Sequence, residues 1–232
     1  MRKNGVVLEK YLDERLVPIP GGSEVMRHFS DEQKWISSDY RMSIPGRKKH
    51  LKETCREIEI KPFYLLQIPV TADLYAFVMG EGIALPGDGL PAVNVSWLEA
   101  NDFCRALSEA AGLCFRLPTE AEWQHACRAG GGGYQYGEID DIAWHQGNSN
   151  GMPHKTGEKA PNPWGVYDML GNVWEWCWDL YDEKRYGPYR AFRGGSWAEP
   201  ARSCGATCRR RSFPSFKIDD LGFRIARSGD AP

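Results

Sequence analysis

The chain has 232 residues, 42% hydrophobic and 26% charged, which is the composition of a globular protein long enough to bury a substantial core. Its 29 Lys and Arg against 31 Asp and Glu give a net charge of −2, so nothing global points to nucleic acid. No stretch is apolar for long enough to span a bilayer or to serve as a signal peptide, and seven cysteines without framework spacing read as reduced thiols in a cytoplasm.

In chain order, "LVPIPGGSEVM" alternates and then turns at Gly21 and Gly22, which predicts a short strand and its turn. Residues 27–52 are polar with no steady period and read as a long surface excursion. "REIEIKPFYLLQIPVT" alternates again and predicts a strand pair broken by Pro62 and Pro69. Thr71 is placed as the N-cap of a short helix in which Leu74, Tyr75 and Val78 share a face.

The clearest helix follows Ser96, which opens a capping box with Glu99. Trp97, Ala100, Phe103, Cys104 and Leu107 make its apolar stripe, and Gly112 stops it. Thr119 and Glu122 repeat the box for a second helix, ended by Gly130 to Gly133. From Tyr134 onward there is no long helical period, only short apolar pieces between Gly, Pro, Asn and Asp. With 25 Gly and nine Trp, the chain reads as one loop-rich α+β domain, with two main helices, short antiparallel strands, no linker and no repeat.

These motifs, together with "GVYDMLGNVWEW" (165–176), "RGGSW" (193–197) and "LGFRIA" (221–226), fall in the order found in the sulfatase-modifying-factor, or formylglycine-generating-enzyme, family, and the chain resembles that family from about Pro18. The resemblance implies an elaborated C-type-lectin-like fold over residues 18–228, with 1–17 as an N-terminal extension. It also implies copper-assisted oxidation of a peptide cysteine by molecular oxygen, although relatives on this fold include other oxidases and pure binders.

The resemblance further implies a structural calcium ion, held by the Asp168 and Glu175 side chains and the Gly171 and Val173 carbonyls. The competing reading has Asp168 capping a turn and Glu175 paired with Arg193 or Arg224. Trp174 would line the active-site cleft, while at least two of Trp174, Trp176 and Trp178 are expected in the core. The five histidines have no tight metal spacing, and His145 with His154 make only a weak pair on a loop.

The family places two copper(I) cysteines, with four residues between them, after "RGGSY". Counting from Arg193 puts the first on Glu199 and the second on Cys204, in a loop about three residues shorter than the family's. Ser196 persists. Cys204 and Cys208 are the substitute pair: soft thiolates suit copper(I), and Arg202, Arg209 and Arg210 would lower a thiol pKa. Gly205 and Thr207 instead predict an extended segment, with the two cysteines unpaired and at least one buried as packing.

Two functions follow. In the first, the 193–216 loop is a recognition groove for a peptide or small molecule, formed by Trp197, Glu199, Arg202, Arg209 and Phe213 beside Trp174, without formylglycine oxidation. The plain alternative is a surface loop whose arginines pair with Asp219 and Asp220. In the second function, Ser196, Cys204 and Cys208 form a changed oxidase site using copper or iron. A partner protein, for which the chain would act as a scaffold, is a third possibility; nucleic acid and membrane are not expected.

Overall fold

The structure is a computed structural model that describes residues 2–30, 52–80 and 89–229. Most of the expected 27–52 excursion lies outside these. Its two ends do not belong to a loop, because they are the ends of strands.

Helix α1 (Arg2–Arg15) leads into β1 (Leu16–Ile19), then β2 (Gly22–Ser30), β3 (Lys52–Ile60) and β4 (Phe63–Leu66). The turn at Gly21 and Gly22 separates two strands that do not pair with each other: β1 pairs with β4, and β2 pairs with β3. The N-terminal stretch, read as an extension, packs as part of the domain, with Leu8, Tyr11 and Leu12 buried in the core.

Three helices form where their caps predict. α2 (Ala72–Met79) starts at Thr71, whose hydroxyl accepts the Leu74 N–H. α3 (Trp97–Ala111) and α4 (Glu120–Arg128) both open with reciprocal capping boxes. The buried side of α3 is the expected stripe, Trp97, Ala100, Phe103, Cys104 and Leu107. Each large apolar side chain there contributes about 1.5–3 kcal/mol of burial. α4 ends at Ala129 and Gly130, both left-handed.

The remaining elements are short: β5 (Phe115–Arg116), α5 (Ile139–Ile142), β6 (Trp174–Leu180), α6 (Glu183–Tyr186), β7 (Arg190–Arg193), β8 (Arg209–Ser212), β9 (Leu221–Phe223) and β10 (Ala226–Ser228). One four-stranded sheet runs β1-β4-β10-β5 and another runs β8-β7-β6-β9. Pairing is antiparallel as expected, except that β9 lies parallel to β6. Two core clusters fill the domain, one beneath α3 around Phe103, Trp174, Trp176 and Phe223, the other beneath α4 around Phe63, Trp123, Met169 and Cys177. Among the described residues no helix is long and apolar enough to cross a membrane.

Candidate functional site

The "YDMLGNVWEW" segment runs as a tight turn into β6. Asp168 and Asn172 take left-handed backbone at φ 52° and 57°, and Gly171 follows suit at 71°. A side chain at Gly171 would meet the Trp144 carbonyl at 2.3 Å, so only glycine allows this crossing. Asp168 accepts the Gly157 N–H through Oδ2 (2.6 Å), while its buried Oδ1 has no partner among the described residues. Burial pushes the carboxyl up to about 6.

Glu175 is also buried, but it is held. Arg224 reaches Oε2 through Nε (3.1 Å) and Oε1 through Nη2 (2.8 Å), and the Trp123 indole donates to Oε2 (2.8 Å). Arg224 is fully buried, and its other bonds go to the Leu66 and Tyr167 carbonyls. The competing reading of Glu175 as an arginine partner is therefore the arrangement found, with Arg224 the partner. For the calcium expectation, Asp168 offers a free buried oxygen, and Glu175 offers only Oε1, where one lone pair is already taken.

Trp174 does not line an open cleft. It is 1% exposed, packs edge-on against Phe192 and is covered by the Arg210 guanidinium 5.0 Å from its ring. Trp176 is buried too, and only Trp178 reaches the surface. Arg210 is held over Trp174 by Glu199, with an Nη1–Oε1 distance of 2.5 Å. Ser196 is fully buried and donates to Asp220 Oδ2 at 2.6 Å. In that position its hydroxyl is enclosed and already engaged. Burial raises the Asp220 carboxyl, against the lowering effect of this hydroxyl.

The cysteine segment is a turn, not the extended strand expected. A short 3-10 helix over Ala201–Ser203 brings the chain to Cys204, and the Cys208 N–H then closes back on the Gly205 carbonyl. Both cysteines are free thiols, and Cys204 is fully buried, its sulfur packed against the Ser196 carbonyl. The expected lowering by arginines fails. Burial pushes Cys204 up to about 12, and it outweighs Arg193 and Arg210 to hold Cys208 up at about 11.

Tyr134 and Gln135, which sequence reasoning missed, strap this turn. The Tyr134 carbonyl accepts from Ala206 N, its hydroxyl donates to the Arg202 carbonyl, and Gln135 donates to the Cys204 carbonyl. The Tyr134 ring lies on Gly205 so closely that a Cβ there would fall 2.0 Å from it. No local pattern in "GGGGYQY" signals a contact with a turn some seventy residues later.

The expected recognition groove does not assemble as a set. Trp197 and Glu199 lie at the half-buried start of the loop, and Arg202 is exposed. Arg209 turns away and binds Glu120 through two nitrogens, at 2.9 and 2.5 Å. Phe213 packs against Tyr189, at 4.4 Å between ring centres, rather than beside Trp174. Arg209 and Arg210 pair not with Asp219 or Asp220 but with Glu120 and Glu199.

The two loop histidines serve their own turns. His145 bonds Asp140 and accepts the Gly147 N–H, while His154 stacks on Trp144 at 3.7 Å and bonds the Ser149 carbonyl. Among the described residues no group of three or more His, Cys, Asp or Glu side chains is set to hold a metal. A copper(I) ion shared by two thiolates needs both sulfurs at one open position. Here Glu199 stands at the first position, engaged by Arg210, and Cys204 at the second is sealed in the core, so the residues do not fit that arrangement.

Residues 8–229 match the family described as the sulfatase-modifying factor enzyme 1-like domain, and the chain belongs to that family. It is 32% identical over 173 residues to the inactive C-alpha-formylglycine-generating enzyme 2 of Mus musculus, covering 63% of this chain and 54% of that one. It is 31% identical over 173 residues to the formylglycine-generating enzyme of Streptomyces coelicolor, covering 60% and 53%. The chain thus spans about half the length of these relatives. Among solved structures, Treponema denticola variable protein 1 superposes with a TM-score of 0.74 at 25% identity, over 94% of this chain and 95% of that one. The α+β lectin-like architecture is shared.

Proposed function

We propose that this chain is a family member that binds a peptide or small molecule at the surface of the 193–216 loop and does not oxidise thiols with copper. The observation that carries this reading is the Glu199–Arg210 ion pair seated on Trp174, where an oxidase would need an open thiolate position. Identity does not choose between the readings, since an inactive and an active relative match almost equally. Trp197, Glu199, Arg202 and Arg210 are the groups this loop offers to a ligand, with Trp174 supporting Arg210 from beneath. Arg209 and Phe213 drop out of the set. The test is oxygen uptake by the purified protein supplied with copper and a cysteine-containing peptide. The expected result is no uptake above that of Cys204→Ser; uptake abolished by that substitution would overturn the reading.

One observation favours an oxidase with a changed site. Cys204 and Cys208 share one turn, closed by the Cys208 N–H on the Gly205 carbonyl. Copper or iron bound stoichiometrically in protein purified without chelator, and lost in Cys208→Ser, would bring this reading forward. A structural calcium is part of the main proposal: the unpartnered Asp168 Oδ1 supports it, and the ion would have to coexist with the Arg224 guanidinium on Glu175.

A further inference from the structure

Charge is unevenly placed along this chain. Between Lys184 and Lys217 there are nine Lys and Arg against a single Asp or Glu, which leaves 20 against 30 for the remainder. Several of the nine are neutralised internally: Arg193 and Arg209 by Glu120, Arg210 by Glu199, and Lys217 by Glu99. Lys184, Arg185 and Arg190 have no carboxylate within ion-pair distance among the described residues. Arg185 lies over the Tyr186 ring at 5.5 Å. Arg190 lies 3.8 Å above the Trp97 ring and donates to the Trp178 carbonyl.

Beside these cations is the largest concentration of exposed apolar side chains among the described residues. Trp178 is 43% exposed, Leu98 48% and Phe213 50%, and Phe216 and Ile218 are exposed as well. They are structurally linked. Trp178 packs at a tilt against Trp97 at the start of α3, and Leu98 N–H bonds the Pro214 carbonyl beside Phe213. Phe213 meets Tyr189, which stacks on Tyr186 at 6.2 Å. Alternation along β8 separates this face from the proposed ligand site. Arg209 and Arg211 lie over Tyr181, whereas Arg210 faces Trp174.

We infer that this face docks an acidic segment of a partner protein, one carrying aspartate or glutamate next to large apolar side chains. The apolar members would bury against Trp178, Leu98 and Phe213, and the carboxylates would meet Arg190, Arg185 and Lys184. Aromatic anchors ringed by arginine are the composition of binding hot spots, and an apolar patch of this kind marks an interaction surface. Charge complementarity selects an acidic partner. Single-stranded nucleic acid fits less well: it would stack on rings, but the exposed Leu98 and Ile218 offer none. This surface is distinct from the Trp174 site, so the two proposals fail separately.

The experiment selects binders from a displayed library of random peptides on the wild-type protein. Selected peptides are then tested by fluorescence titration against Phe213→Ser, Arg190→Glu and, as a control outside both proposed sites, Lys61→Glu, an exposed position between β3 and β4. Acidic peptides with Leu, Phe or Trp should be enriched, and each on-face substitution should weaken them about tenfold or more, the loss typical of a hot-spot residue. Lys61→Glu should leave binding within about twofold, a difference of less than 0.5 kcal/mol. Circular dichroism checks that each variant is folded. No enrichment, enrichment without acidic residues, equal binding by the on-face variants, or displacement of the peptides by a single-stranded oligonucleotide would each overturn the inference.

Discussion

The arginines enclosed in and next to the β8-β7-β6-β9 sheet and those on the Trp178 face are the same residue type in two different electrostatic settings. Arg193, Arg209 and Arg224 are enclosed and matched to Glu120 and Glu175. Arg185 and Arg190 lie on aromatic rings at the edge of solvent, with no carboxylate within ion-pair distance of either guanidinium among the described residues. A buried guanidinium must be paired, because removing either partner strands a charge in a low-dielectric interior. A surface guanidinium is hydrated and needs no partner to be tolerated. The buried set therefore belongs to folding, and the outer set is the one the proposed acidic partner would engage.

The comparison is broken most forcefully at Glu175. Glu175→Ala would leave Arg224 buried without its counter-ion and Trp123 without its acceptor. The expected loss is about 3–5 kcal/mol in urea unfolding, a large part of the 5–15 kcal/mol typical of a domain. If that variant is too unstable to purify, Glu175→Met with Arg224→Met should recover most of the stability, since apolar replacement of both partners is far cheaper than orphaning one. A loss below about 1 kcal/mol for Glu175→Ala would mean that the pair is not the internal support described here.

What the sequence disclosed follows the range of the interactions involved. Capping boxes at Ser96 and Thr119 and the stripe from Trp97 to Leu107 are signals contained within a few residues, and α3 and α4 form where those signals predict. The site depends on long-range partners. Glu175 could be assigned to an arginine but not to Arg224 alone, and Trp123 carried no mark of its bond to that carboxylate. Cys204 to Cys208 reads as extended from Gly205 and Thr207, but the glycine is there for another reason: Tyr134 occupies the space that a side chain would need. Arginines close in sequence to the cysteines suggested lowered thiol pKa values. Burial, which local sequence does not reveal, reverses the direction.

Gly205→Ala sharpens the contrast at the candidate site. The added methyl group would sit inside the Tyr134 ring, so either the ring or the turn must move. We expect about 1–3 kcal/mol of destabilisation, as for other overpacked positions. Cys208 should also react faster with a thiol reagent once the strap is displaced. Adding Tyr134→Ala should restore part of the stability by removing the clash, while leaving Cys208 reactive. Unchanged labelling in Gly205→Ala would show that the strap does not protect the cysteine turn.

Asp168 is a buried carboxylate with no arginine in ion-pair contact and one oxygen left without a partner among the described residues. In the folded chain it keeps its proton up to about pH 6, against 3.8 for the ordinary group. Between those values the folded state holds the extra proton, so stability is gained as pH falls through 6 and lost as it rises through 6. In chelator at pH 7, Asp168→Asn should therefore be more stable than wild type by roughly 1–3 kcal/mol, and its stability should depend less on pH between 4 and 7. Asn also tolerates the left-handed backbone at this position. With calcium in excess the ranking should reverse, because a cation on Oδ1 stabilises wild type in proportion to the logarithm of its concentration above Kd. A melting temperature that calcium does not move would remove the ion from the site.

The smallest effect is expected on the outer face. Arg185→Glu replaces a guanidinium that lies over Tyr186 and makes no ion pair among the described residues. Surface substitutions of this kind fall within about 0.5 kcal/mol, so thermal unfolding should hardly register it. Binding should register it clearly. If an acidic partner docks beside Trp178 and Phe213, reversing this charge places like charges across the interface and slows association most at low salt, where screening is weakest. The wild-type association rate should fall as salt rises, and the Arg185→Glu rate should stay nearly flat. A folding penalty as large as that of Glu175→Ala would instead assign Arg185 to the buried class, and the contrast between the two sets of arginines would no longer hold.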